Sequence, residues 1–171
     1  MELVEEYSID LPLDEIQKKR KLTLQILYYL DVTNDVLSTK LGTSNFTEED
    51  SSLSIKVIDN CRKRAINIFE DKEILDHVIQ TLAEEYPISQ LSIIDKSLLR
   101  LAFWEIKNSA FEGNKSKLVE DFEKLGYLFG SDNSNKFIKG VIKSLIKKIN
   151  KIELENKRKK GKNGDNSRKA I

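Results

Sequence analysis

Residues 91–106 read LSIIDKSLLRLAFWEI. Leucine, isoleucine, phenylalanine and tryptophan fall on nearly every side of a helix with 3.6 residues per turn, and a helix that is apolar all round is stable only when neighbours cover it. The segment is therefore predicted to be a central, mostly buried helix. Neither it nor any other apolar run approaches the roughly 20 residues that a bilayer crossing needs, so no membrane segment is expected.

Working outward, the flanks supply amphipathic helices and no convincing strand alternation. Upstream, a helix starting near Asp14 carries Leu22, Ile26 and Leu30 at four-residue spacing, with KKRK (18–21) in its early turns. A short helix over 36–41 ends at Gly42, and the polar stretch GTSNFTEEDSS (42–52) reads as a loop. Helices follow from about Ser52 to Phe69 and from Glu70 onward, the second halted at Tyr86-Pro87 because proline disfavours helix at the residue before it. Downstream, Ser116 is placed to cap a helix through Phe129 that closes on Gly130 as a left-handed C-terminal residue. In the last helix Phe137, Ile138, Val141, Ile142, Leu145, Ile146 and Ile149 form a core stripe. On another face Lys136, Lys139, Lys143, Lys147 and Lys151 recur every three or four residues. That stripe reads either as a solvated face or as an anion-binding track. About seven helices with short connections make an all-α bundle.

Charge divides the chain. Its net charge is +1, but residues 151–171 hold 8 basic and 3 acidic side chains, leaving 21 basic and 25 acidic in residues 1–150. The expected organisation is an acidic extension (1–13), a helical domain (14–150) and a basic, flexible tail (151–171) whose apolar residues run out after Leu154. The first sixteen residues include six carboxylates and no cation, the wrong sign for a secretory or organellar leader, so a cytoplasmic location is expected.

Little catalytic chemistry is on offer. With one cysteine, Cys61, and one histidine, His77, the chain lacks a disulfide framework and the usual zinc ligand sets, and no metal or cofactor is expected. Cys61 fits a buried position and His77 a solvated one. Paired catalytic carboxylates and a glycine-rich phosphate loop are missing too, so no enzymatic activity is expected.

Three segments in register carry a resemblance. They are KKRKLTLQILYYLDV (18–32), the helix over 91–106 with Asp95-Lys96 and Leu99-Arg100-Leu101-Ala102-Phe103-Trp104-Glu105, and 117–146 with Phe129-Gly130 and Lys136-Phe137-Ile138-Lys139-Gly140-Val141-Ile142. Together they resemble the NusB family of transcription antitermination factors from about Lys18 to Ile149. The resemblance implies two small helical subdomains around the central helix. It also implies binding of boxA-type single-stranded RNA together with the NusE ribosomal protein, in contact with the RNA polymerase elongation complex during ribosomal RNA synthesis. Matched position by position, it puts Lys18, Arg20, Tyr28, Lys136 and Phe137 at the RNA and Asp95 at the protein partner, with Lys19 and Lys21 as local reinforcements of the basic segment and Lys139 as a further cation on the RNA face. Cations along phosphates and rings under unstacked bases are what single-stranded RNA requires. Phe137 and Tyr28 fit the core equally well, and Arg100 and Glu105 read as structural.

The departures bear on affinity. The family's arginine-rich stretch is here mostly lysine, which lacks the planar fork. Lys139 replaces an asparagine and Asn133 an acidic residue, both making the RNA face more positive, and the proline usual before the penultimate helix is absent from SAFEGNKS (109–116). Two other functions stay open: a stand-alone RNA-targeting domain related to the one fused to RNA cytosine methyltransferases, and a helical protein-interaction scaffold without RNA specificity. The acidic extension is also a candidate internal competitor for the basic helix.

Overall fold

The computed structural model describes residues 12–42 and 52–168, with side chains as far as residue 163. Most of the acidic extension and of the loop after Gly42 lies outside the described residues, so the internal-competitor idea does too. Seven α-helices follow in order: α1 (Glu15–Thr33), α2 (Val36–Leu41), α3 (Ile55–Glu70), α4 (Lys72–Leu82), α5 (Ile93–Lys107), α6 (Lys115–Phe129) and α7 (Ser134–Arg168), with a 3-10 turn at Ile88–Gln90 before α5. No strand occurs among the described residues.

The caps explain where the helices begin. Asp14 and Gln17 form a reciprocal capping box at α1, and Asp35, Ser54, Ser92 and Asn114 each accept a backbone N–H in the first turn of α2, α3, α5 and α6. Asn114, not Ser116, caps α6, because the turn at Gly113 (φ +83°) brings the Asn114 side chain onto the Lys117 N–H. α4 ends at Leu82, ahead of Pro87: the Gln80 side chain donates to the Ala83 carbonyl and accepts from the Ile88 N–H, replacing the next helical turn.

Gly130 corrects a second expectation. Its φ of −87° is not left-handed. Glycine is needed there for space, since a Cβ would strike the Ser134 side chain and the Gly126 carbonyl oxygen in the tight turn between α6 and α7.

α5 is the hub, touching α1, α3, α4, α6 and α7. On one side α1 and α2 pack on α3, and on the other α6 and α4 pack on α7. Leu98, Leu99, Leu101 and Ala102 of α5 are fully buried and belong to one hydrophobic cluster with Leu27 and Leu30 of α1, Ile68 of α3, Leu118, Phe122 and Leu125 of α6, and Ile138, Val141, Ile142 and Leu145 of α7. Each such leucine or isoleucine contributes about 1.5–3 kcal/mol by leaving water. Cys61 is in this core, and His77 is exposed.

α7 is longer than its hydrophobic stripe. The stripe ends at Ile149, yet helix continues to Arg168 in place of the irregular tail that composition predicts. Residues 151–163 are exposed throughout. Lysine, glutamate and arginine are good helix formers, and no proline interrupts the run that the packed half of α7 has already nucleated.

Candidate nucleic-acid interface

The cations of α1 fall on three sides of the helix. Lys18, Lys21, Gln25, Tyr28 and Val32 follow one another at three- and four-residue steps along its outer face. Lys18 reaches the Ser52 hydroxyl at 2.9 Å, and the Lys21 ammonium sits 5.9 Å from the centre of the Phe129 ring. Tyr28 is 44% exposed. With Tyr29, Val32, Ile94 and Phe129 it lines an open apolar groove of about 350 Å³. Among the described residues the Tyr28 hydroxyl has no hydrogen-bond partner, whereas that of Tyr29 bonds Asp35. A ring open to solvent, an apolar floor and a cation beside it can hold an unstacked base and its phosphate.

Arg20 does not belong to that face. It is 1% exposed, with Nε donating to Glu105 at 2.9 Å and Nη1 to Asp121 at 2.7 Å, and its guanidinium lies 5.1 Å from the Phe122 ring centre. The assignment of Arg20 to RNA is therefore corrected: it ties α1 to α5 and α6. The sequence held the signal, because Arg20 is in phase with Leu24 and Leu27, which are buried. Burial pushes the Glu105 carboxyl above its ordinary value, against the pull of Arg20 and of Arg64 at 3.7 Å. Lys19 points to a third side, where Glu112 at 3.0 Å and Glu15 at 3.8 Å hold its ammonium. Hydrogen bonding to Glu112 raises its pKa above the ordinary lysine value.

Lys136, Phe137 and Lys139 lie across the turn from Phe129, and Asp95 lies on α5. Lys136 is exposed in the first turn of α7. Phe137 is half-buried and packs edge-on against Tyr86, ring centres 5.2 Å apart. Lys139 is 3.1 Å from Glu123 of α6, so its charge is partly used within the fold. Asp95, assigned to a protein partner, is only 8% exposed; it faces inward from the first turn of α5, and its Oδ1 accepts no hydrogen bond among the described residues. Arg100 is structural, forked onto Asp76 at 2.7 Å and reaching Asp31 at 3.2 Å. Burial opposes its charge, but these carboxylates outweigh that and raise its pKa.

Phe129 joins the site only in three dimensions, whereas Gln25, in phase with Lys21 and Tyr28, and Tyr29, next to Tyr28, are within reach of helical spacing. Phe129 was visible in sequence as part of a Phe-Gly helix end, but not as a neighbour of Lys21.

These features define an all-α domain built round a buried helix, with a cationic and aromatic outer face on its first helix. The fold is that of the solved T. maritima NusB, which aligns with a TM-score of 0.64 at 19% identity over 80% of this chain and 93% of that one. The sequence profile of the NusB family matches residues 17–147, and the chain belongs to that family, whose members are transcription antitermination proteins. Similar relatives include the transcription antitermination protein NusB of Dehalococcoides mccartyi, 33% identical over 78% of this chain and 90% of that protein. That of Chloroflexus aggregans is 29% identical over 74% and 83%. No described helix is long and apolar enough to cross a membrane.

Proposed function

We propose that this protein is an antitermination factor that binds boxA-type single-stranded RNA, together with a NusE-type ribosomal protein, within the RNA polymerase elongation complex during ribosomal RNA synthesis. The observation that carries the RNA reading is the exposed Tyr28 ring at the mouth of an apolar groove, with Phe129 in its wall and Lys21 beside Phe129. One base stacked there gains roughly 1–3 kcal/mol, and Lys18 and Lys21 attract the adjoining phosphates. Lys136 extends the contact across the turn after α6, at a helix start whose dipole favours anions. Being lysines, these cations act as point charges rather than bidentate forks, so affinity depends steeply on salt. The partner surface is the first turn of α5, presented by the exposed Ile93, whereas Asp95 in the same turn faces inward.

Fluorescence anisotropy with a boxA-like oligonucleotide and a scrambled one, with and without the NusE-type protein and at two salt concentrations, tests this. The expected result is a preference for boxA that persists at higher salt and tightens with the partner. Equal binding to both RNAs, collapsing with salt, would overturn it.

A further inference from the structure

The family profile stops at residue 147, but the helix that carries it runs on to Arg168. Beyond Asn150 the helix projects about 27 Å at 1.5 Å per residue. Residues 151–163, exposed throughout, hold six basic side chains and two acidic ones. Lys143, Lys147, Lys151, Arg158 and Lys162 succeed one another at steps of four, four, seven and four residues, which keeps them on one side of the helix.

The root of this stripe is concave. Between α6 and α7 lies an open groove of about 520 Å³ whose walls include Lys115, Lys139, Lys143 and Lys147. Lys115 bonds the Asn150 side chain at 2.8 Å, and Lys139 is held by Glu123. Among the described residues Lys143 and Lys147 have neither a hydrogen bond nor an ion pair, and the lone carboxylate in the wall is Glu120. Exposed ammonium groups without a bonded carboxylate, in a groove that opens onto a cationic rod, attract a polyanion. The rod's own run Lys157–Lys160 adds like charges at helical contact spacing, a cost that bound phosphates remove.

We infer that the α6/α7 groove and the projecting half of α7 form a second, sequence-independent track for the phosphate backbone of RNA flanking the specifically bound segment. The inference rests on the RNA reading above and adds Lys143, Lys147, Lys151, Arg158 and Lys162, none of which that reading uses. Bases are not read on this track, because the stripe offers cations without an exposed ring. Its contribution is affinity for length, through release of counterions.

The experiment compares the full chain with a chain ending at Asn150 and with the K143A/K147A variant. Each is titrated with a short boxA-like RNA and with the same RNA carrying an unstructured flank on either end. Thermal unfolding verifies that the core, which ends at Ile149, is intact. The full chain should bind the flanked RNA at least about tenfold more tightly than the short one at low salt, and the truncated chain, which keeps Lys143 and Lys147 but loses Lys151, Arg158 and Lys162, should lose most of that gain. The slope of log affinity against log salt should fall by about 0.7 for each phosphate no longer neutralised. K143A/K147A should lose part of the gain, and affinity for the short RNA should stay the same in all three. A flank gain undiminished by truncation, or no gain in the full chain, overturns the track. Failure of the boxA reading shows separately, as equal binding of short boxA-like and scrambled RNA while the flank gain remains.

Discussion

The inner and outer faces of α1 put the same chemistry to opposite uses. On the inner face Arg20 is sealed between Glu105, Asp121 and Phe122, and its charge holds three helices in register. On the outer face one residue away, Lys21 stands at the edge of an aromatic groove with its charge still open to solvent. A guanidinium can be buried because its planar fork meets two carboxylates at once, whereas an ammonium keeps its hydration best at the surface. Within one helical turn, then, the difference between a structural cation and a ligand-facing one is set by the side of the helix and by the acids waiting there.

The sharpest way to break this comparison is to remove the buried cation. Arg20→Ala leaves Glu105 and Asp121 facing each other in the core, and should lose about 3–5 kcal/mol of stability in urea unfolding. The fraction that remains folded should bind boxA-like RNA normally. Near-native stability with lost RNA affinity would return Arg20 to the outer face. Next in size, Tyr28→Ala should weaken RNA binding by roughly 1–3 kcal/mol in anisotropy titrations. Tyr28→Phe should restore it, since stacking needs the ring and the hydroxyl has no partner to lose. Unfolding of both Tyr28 variants should stay near wild type.

The start of α1 sharpens the contrast with a purely structural charge. Partial burial pushes the Asp14 carboxyl up, but hydrogen bonds from the Lys117 ammonium and the Gln17 N–H outweigh it and hold its pKa below the ordinary 3.8. A carboxyl whose pKa is lowered by folding stabilises above its unfolded value and loses that effect as pH falls through the folded one. Asp14→Ala should therefore cost about 1 kcal/mol near neutral pH. The stability curves of variant and wild type should converge as the pH falls below 3.8, with RNA affinity untouched. A gap that persisted in acid would assign the effect to something other than the ionised cap. The smallest expected effect is that of Lys21→Ala. It should lower the salt slope of RNA binding by about 0.7 and weaken boxA-like and scrambled RNA alike. A change confined to one sequence would make Lys21 a reader of bases.

Much of this organisation was legible in the residues. The all-round apolarity of 91–106 requires burial, and the four-residue spacing in 22–30 and 137–149 assigns the helices that do the covering. Boundaries were harder, because they depend on local competition: Asn114 won the cap over Ser116 through the Gly113 turn, and the Gln80 side chain ended α4 before Pro87. Gly130 is legible as a helix end, but steric room at Ser134, not a left-handed backbone, requires it. The tail's composition concealed its helix, because propagation from a packed helix needs only residues that do not interrupt it.

The sequence by itself determined an all-α chain, its seven helices among the described residues and their buried centre, its family, and the segments rich in cations and rings. Periodicity and composition are local properties, and they suffice for that. Only the tertiary structure decided that Arg20 meets Glu105 and Asp121, that Lys21 meets Phe129 from the far end of α6, and that Lys115 faces the lysines of α7 across a groove. Those outcomes depend on which charges from distant segments arrive within a few ångströms of one another. Spacing along a single helix holds no record of that.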